Sequence, residues 1–111
     1  MKIESFEWDP KKDRANFQKH GITFSEASLI FSGIVFTVKD TRKDYGELRF
    51  ISIGSIAGVV VIVVAHTSRY GVTRIISARK AKEKERERYY EHLEKAAKGS
   101  YVKKRFKNRS L

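Results

Sequence analysis

The chain has 111 residues, no cysteine, and 24 Lys or Arg against 13 Asp or Glu, for a net charge of +11. That length fits one compact domain and leaves little room for two, and the absence of thiols excludes a disulfide framework or a thiolate metal site. The charge favours partners rich in negative charge: nucleic acid, an acidic protein or an anionic membrane.

Residues 3–8 alternate well enough for a short first strand. Asp9-Pro10 is a helix start, with Asp9 as cap and Pro10 at the first helical position. This helix runs to His20 and stops at Gly21, a left-handed cap residue. Thr23 and Glu26 have capping-box spacing, so a second helix follows at once. Its apolar face is Phe24, Ala27, Ile30 and Phe31, and Gly33 ends it. His20, in the last turn of the first helix, favours that helix's dipole as a cation.

Residues 34–38 form a short strand and residues 40–46 a polar loop. Residues 48–53 are the next strand, and residues 55–58 turn the chain. Residues 59–65 are continuously apolar and β-branched, which predicts a central strand. The longest apolar run, residues 56–65, is about half of the ~20 residues needed to cross a bilayer as a helix. The opening Met1-Lys2-Ile3-Glu4 is soon followed by Asp9-Pro10, so no signal peptide is visible and a cytoplasmic address is expected. Residues 68–71 turn into a strand over 72–78, and residues 79–98 read as a long charged helix ending at Gly99.

This order predicts an α+β fold, with two N-terminal helices and a C-terminal helix packed on one face of an antiparallel meander. Residues 1–98 form one domain. Residues 99–111 carry five Lys or Arg and no acid, and read as a flexible basic tail, either solubilising or steering toward a polyanion.

Turns at residues 55–58 and 68–71 pair Glu47 with His66, Arg49 with Val64, and His66 with Thr73. Glu47, Arg49 and His66 then share one patch. A carboxylate, a guanidinium and an imidazole together suit acid–base chemistry beside an anion. The plain alternative is an exposed ion pair with a bystander histidine. Arg79, at the strand–helix junction, suits gripping a phosphate; the plain alternative is the first residue of a solvated helix. Arg79, Glu83, Arg86 and Tyr90 share one helical stripe that could hold phosphates and stack a base, or be a solvated face. The acids and the three histidines show no metal-ligand spacing, and no phosphate-binding glycine loop or nucleophile elbow is present.

The sequence resembles the BrnT family, the toxin half of a bacterial type II toxin–antitoxin pair. The matching residues are Phe6-Glu7-Trp8-Asp9-Pro10, Asn16, Lys19-His20-Gly21, Phe24, Ala27, Phe31, Tyr45-Gly46-Glu47, Arg49 and Ile53-Gly54. They continue with Arg74-Ile75-Ile76-Ser77-Ala78-Arg79-Lys80-Ala81, Glu85-Arg86 and Tyr89-Tyr90. The resemblance implies a RelE-like fold and a ribonuclease that needs no metal or cofactor and blocks translation. It also implies a BrnA-like antitoxin, and an operator DNA that the toxin–antitoxin complex represses. Within that frame Arg49 and Arg79 stabilise charge, with Arg74 or Arg86 in support. Glu47 or His66 is the base, Tyr90 positions the substrate, and Lys19 and His20 act in RNA binding or in helix capping. The competing reading is a basic module that binds RNA, DNA or the ribosome without chemistry, with an affinity that falls steeply with salt.

Overall fold

A computed structural model describes the backbone of residues 5–105 and the side chains of residues 5–98. The start of the expected first strand, residues 3–4, and the tail residues 106–111 lie outside the described residues, as do the side chains of 99–105. The elements in order are β1 (Phe6–Glu7), α1 (Pro10–His20), α2 (Phe24–Ser28) with a following 3-10 turn (Leu29–Ser32), β2 (Phe36–Lys39), β3 (Phe50–Ile56), β4 (Val60–Arg69), β5 (Val72–Lys80) and α3 (Glu83–Arg105).

The N-terminal helices form as their caps dictate. The Asp9 side chain accepts from Lys11 N and Pro10 opens α1, which closes on Gly21 at φ 73°. Thr23 and Glu26 make the reciprocal capping box of α2. Only five residues of α2 are α-helical before the 3-10 turn takes over.

The five strands lie in the order β1-β5-β4-β3-β2. All neighbouring pairs are antiparallel except β1 with β5, which is parallel. The sheet is therefore mixed, and the helices do not share one face. On one side Ile22, Phe24, Ala27 and Ile30 pack on Ile62, Val64, Ile75 and Ala78. On the other, Tyr89 and Leu93 of α3 pack on Ile53, Val61 and Val63. The reason is visible in β4, where Val61, Ile62, Val63 and Val64 are all buried. A strand apolar at every position needs cover on both faces. Close contact on the first side depends on Gly54, where a Cβ would come within 2.7 Å of Ile30 Cβ.

The register departs from the sequence-based one. The β3–β4 turn is Ala57-Gly58-Val59, with Ala57 and Gly58 both at positive φ, and β3 runs on to Ile56. Phe50, not Glu47, therefore pairs with His66. The slip is three residues, and an odd slip exchanges the two faces. On the other side of β4, His66 pairs with Ile75 next to a bulge. The β4–β5 turn is a two-residue Tyr70-Gly71 hairpin with both φ positive, the I′ geometry that matches strand twist.

The strand–helix junction also moves. Val63 and Ile62 of the ten-residue β4 give Arg79 and Lys80 strand partners, and Ala81 N still donates to Val61 O at 3.0 Å. Arg79 is thus a strand residue, outside the Glu83–Arg86–Tyr90 helical stripe. At its far end α3 runs through Gly99 to Arg105.

Candidate functional site

On the face covered by α3, the helix packs over the rungs from Val61 to Ile51. Beyond them the same face turns polar and basic. Alternation from Phe50↔His66 places Arg49 level with Thr67, and Thr67 pairs with Arg74, which pairs with Glu7 of β1. Arg74 Nη1 lies 3.3 Å from Glu7 Oε2. Glu47 bonds both Arg49, at 3.1 Å, and Arg69, at 3.3 Å. The Arg49 bond, with help from Arg69, holds the Glu47 carboxyl below its ordinary range. The Arg49 guanidinium also lies 4.2 Å above the centre of the Tyr45 ring.

Arg79 sits higher on the same face, opposite Val63. Its Nη1 and Nη2 each donate to Glu85 at 2.8 Å. That pairing, rather than burial, dominates Glu85 and draws its pKa down to about 2. Arg42, in the β2–β3 loop, donates from Nε and Nη2 to Asp40, whose own N–H bonds Arg49 O. The rungs of Arg79 and Arg49 are four residues apart along β4, roughly 13 Å at the usual strand rise. Arg79 and Arg49 therefore stand one above the other along this face rather than side by side.

The backbone below Arg79 is fixed from a distance. Asn16 of α1 donates to Ala78 O at 2.9 Å and to Ile22 O at 3.0 Å, and accepts from Ala78 N at 3.1 Å. Strand β1 ends before it reaches Ala78, so the Asn16 amide completes the edge of β5. The sequence placed Asn16 in the family pattern without a role. An asparagine satisfying both backbone groups of a residue 62 positions away leaves no local signal.

The expected Glu47–Arg49–His66 patch does not form. His66 lies on the opposite face because of the three-residue slip. It is enclosed by Phe31 and Phe50, with ring centres 5.0 and 5.8 Å away, and its Nε2 is 2.7 Å from Ser52 Oγ. Burial pushes its pKa down to about 4. Lys19 and His20 lie beside Ile76 and Ser77, at the α1 flank of β5. Arg86 Nη1 donates to Ala81 O at 3.0 Å, and Tyr90 is exposed, its ring tilted against the buried Tyr89. The structure therefore brings together Glu47, Arg49, Arg69 and Arg74, sets Arg79 farther along the same face, and leaves His66 outside. Arg69 was missed because nothing in its local spacing reveals that the register carries it to this face, and Arg42 because its bond to Asp40 is a loop contact.

Among the described residues, no three His, Asp or Glu side chains come together as metal ligands, and no helix is long and apolar enough to cross a membrane. What this face offers is a track, a row of guanidiniums oriented by carboxylate partners, Glu47 for Arg49 and Arg69, Glu7 for Arg74 and Glu85 for Arg79, a spacing suited to a phosphodiester backbone.

A family model described as the ribonuclease toxin BrnT of type II toxin–antitoxin systems matches residues 8–85. The chain belongs to the BrnT family. It is also similar to the crystal structure of the Brucella abortus ribonuclease toxin BrnT at 27% identity and a TM-score of 0.55, over 73% of this chain and 100% of that one. No curated protein matches it. The BrnT match spans the guanidiniums of the track, from Arg49 to Arg79, together with the Asn16 clamp. Tyr90 and the basic extension lie beyond it.

Proposed function

We propose that this chain is an endoribonuclease toxin that cleaves RNA without a metal on the arginine-lined half of its α3-side sheet face. The observation that carries the reading is the alignment of Arg49, Arg69 and Arg74 around Thr67, with Arg79 farther along the same face. Cleavage begins when an RNA 2′-oxygen attacks the adjacent phosphorus. Glu47, held ionised, receives the 2′-hydroxyl proton. Arg49 and Arg74 carry the charge that develops on the phosphorane, where a preplaced donor typically contributes 10²–10³-fold. The P–O5′ bond breaks, the 5′-oxygen takes a proton from water, and a 2′,3′-cyclic phosphate remains. Arg79 holds the neighbouring stretch of backbone, with Arg86 and the Lys19–His20 flank as outlying contacts. Tyr90, exposed on α3, is given the role of positioning the substrate.

The wider reading follows the family. Residues 1–98 form a RelE-like domain, with residues 99–111 as a basic extension. The toxin works in the cytoplasm by blocking translation. A BrnA-like antitoxin neutralises it, the simplest way being to cover the track, and the complex represses its own operon through operator DNA.

The test is cleavage of a single-stranded RNA by the purified chain in excess chelator, with the 3′ ends analysed. Cyclic-phosphate ends are expected. Arg49→Ala should lower kcat by about 100-fold, and Arg79→Ala should act mainly on KM. A folded wild type that binds RNA and leaves it intact would instead make the chain a non-catalytic binding module. Cleavage abolished by chelator would overturn the metal-free chemistry.

A further inference from the structure

The loop between β2 and β3 also holds an aromatic ring, Tyr45, to which cleavage gives no role. Asp40, its side chain only 2% exposed, is the hub. Its carboxylate accepts from Arg42 Nε and Nη2, each at 2.9 Å, and from the Arg42 backbone N–H at 3.2 Å. Its own N–H donates to Arg49 O at 2.8 Å. Asp44 Oδ1 accepts from Gly46 N at 3.0 Å, and Gly46 takes a φ of 73°. The loop is thus tied at both ends and at its tip. Between these ties stands Tyr45, half-buried, with the Arg49 guanidinium 4.2 Å and the Lys43 ammonium 5.5 Å from its ring centre. A hollow of about 550 Å³, bounded by Lys39, Thr41, Tyr45, Leu48 and Arg49, opens beside it.

We propose that this hollow is a nucleobase subsite, in which Tyr45 stacks one unpaired base of the RNA whose backbone lies on Arg49. The inference rests on the ribonuclease reading for the identity of its ligand. Three observations lead to it. The ring is held in place before any ligand arrives, so little is lost in ordering it. A cation lies on the ring face, and Arg–aromatic stacks extend readily onto a base. The neighbouring guanidinium belongs to the phosphate track, so a base entering the hollow keeps its own phosphate in reach. Unpaired RNA offers a base free to leave its stack, which a duplex does not.

The test compares the full chain with Tyr45→Leu and Tyr45→Phe. The ligand is a single-stranded RNA, used intact and with one abasic residue placed at each position in turn. Affinity is read on a 2′-deoxy-blocked version that cannot be cleaved, and KM and kcat on the cleavable one. Tyr45→Leu should weaken binding and raise KM by about 10-fold, within the range for losing one stacked base, while kcat stays within twofold. Tyr45→Phe should behave as wild type. One abasic position should cost the wild type the same factor and cost Tyr45→Leu nothing further. Independent, multiplying effects of the variant and of every abasic position would overturn the subsite, as would wild-type affinity in a folded Tyr45→Leu. If the wild type does not cleave at all, the ribonuclease reading fails, and the blocked-RNA cycle still decides the subsite.

Discussion

Arg79 and Glu85 face each other through two parallel bonds, Nη1 to Oε1 and Nη2 to Oε2, each 2.8 Å long. One residue is the penultimate residue of β5 and the other lies in the first turn of α3, so the pair joins the sheet to the helix. Glu85 Oε1 also accepts from Lys82 N at 2.8 Å, satisfying a free donor at the helix start. The same carboxylate occupies the guanidinium that a phosphate would need. Glu85 therefore stabilises the fold and competes with RNA.

Glu85→Gln separates these two effects. The variant should be less stable by about 1 kcal/mol, a figure kept small because both side chains are partly exposed. Its RNA affinity should rise a few-fold. The pH dependence has a definite sign. The carboxyl ionises at about 2 when folded, against an ordinary value of 4.5. Its stabilisation is fully present above 4.5 and is lost as pH falls toward 2. Melting curves of wild type and variant should converge across that window. Parallel curves down to pH 2 would show that the pair contributes nothing.

Asn16→Ala removes the bonds to Ala78 and Ile22 and leaves buried backbone groups without partners. Each such group costs about 1–3 kcal/mol, so a loss of about 3 kcal/mol is expected in a denaturant titration. RNA cleavage by the remaining folded protein should also fall, through a higher KM, because Ala78 sets the strand that presents Arg79. A variant as stable as wild type would show that water replaces the clamp.

Much of the fold was legible in the sequence because its signals are local. Asp9-Pro10, Gly21 and the Thr23–Glu26 box define the N-terminal helices, and the β-branched run defines the central strand. The faces were not legible, because they depend on turn geometry. Moving the β3–β4 turn to Ala57-Gly58-Val59 sent His66 to one side of the sheet and left Glu47 and Arg49 on the other. The placement of α3 on the second face needed the burial of Val61 and Val63, which an apolar run cannot assign to a side. Arg79 was expected to open the last helix, yet it belongs to the strand, because β4 is long enough to pair with it.

His66→Gln tests that relocation. Glutamine can still bond Ser52, so the fold should survive. Burial lowers the histidine pKa to about 4 from 6.5. The unfolded chain binds the proton first, so wild-type stability falls as pH drops from 6.5 to 4. The variant should lack that decline. Its cleavage rate and pH profile should match wild type within a few-fold, because the imidazole faces away from the track. Loss of cleavage in a folded His66→Gln would place the base on the wrong side of this sheet.

Residues 99–111 hold Lys103, Lys104, Arg105, Lys107 and Arg109 without an acid, and the BrnT match ends at residue 85. The residues proposed for chemistry lie within that match, so changing all five cations to Gln should leave kcat unchanged. Binding is different. Each phosphate neutralised on a single strand contributes about 0.7 to the slope of log affinity against log salt. Five cations in full contact would contribute about 3.5, and partial contact about 2. The variant should therefore bind RNA more than 10-fold weaker at low salt and converge with wild type at high salt. An unchanged slope would mean that the extension does not touch RNA, leaving the track alone to hold the substrate.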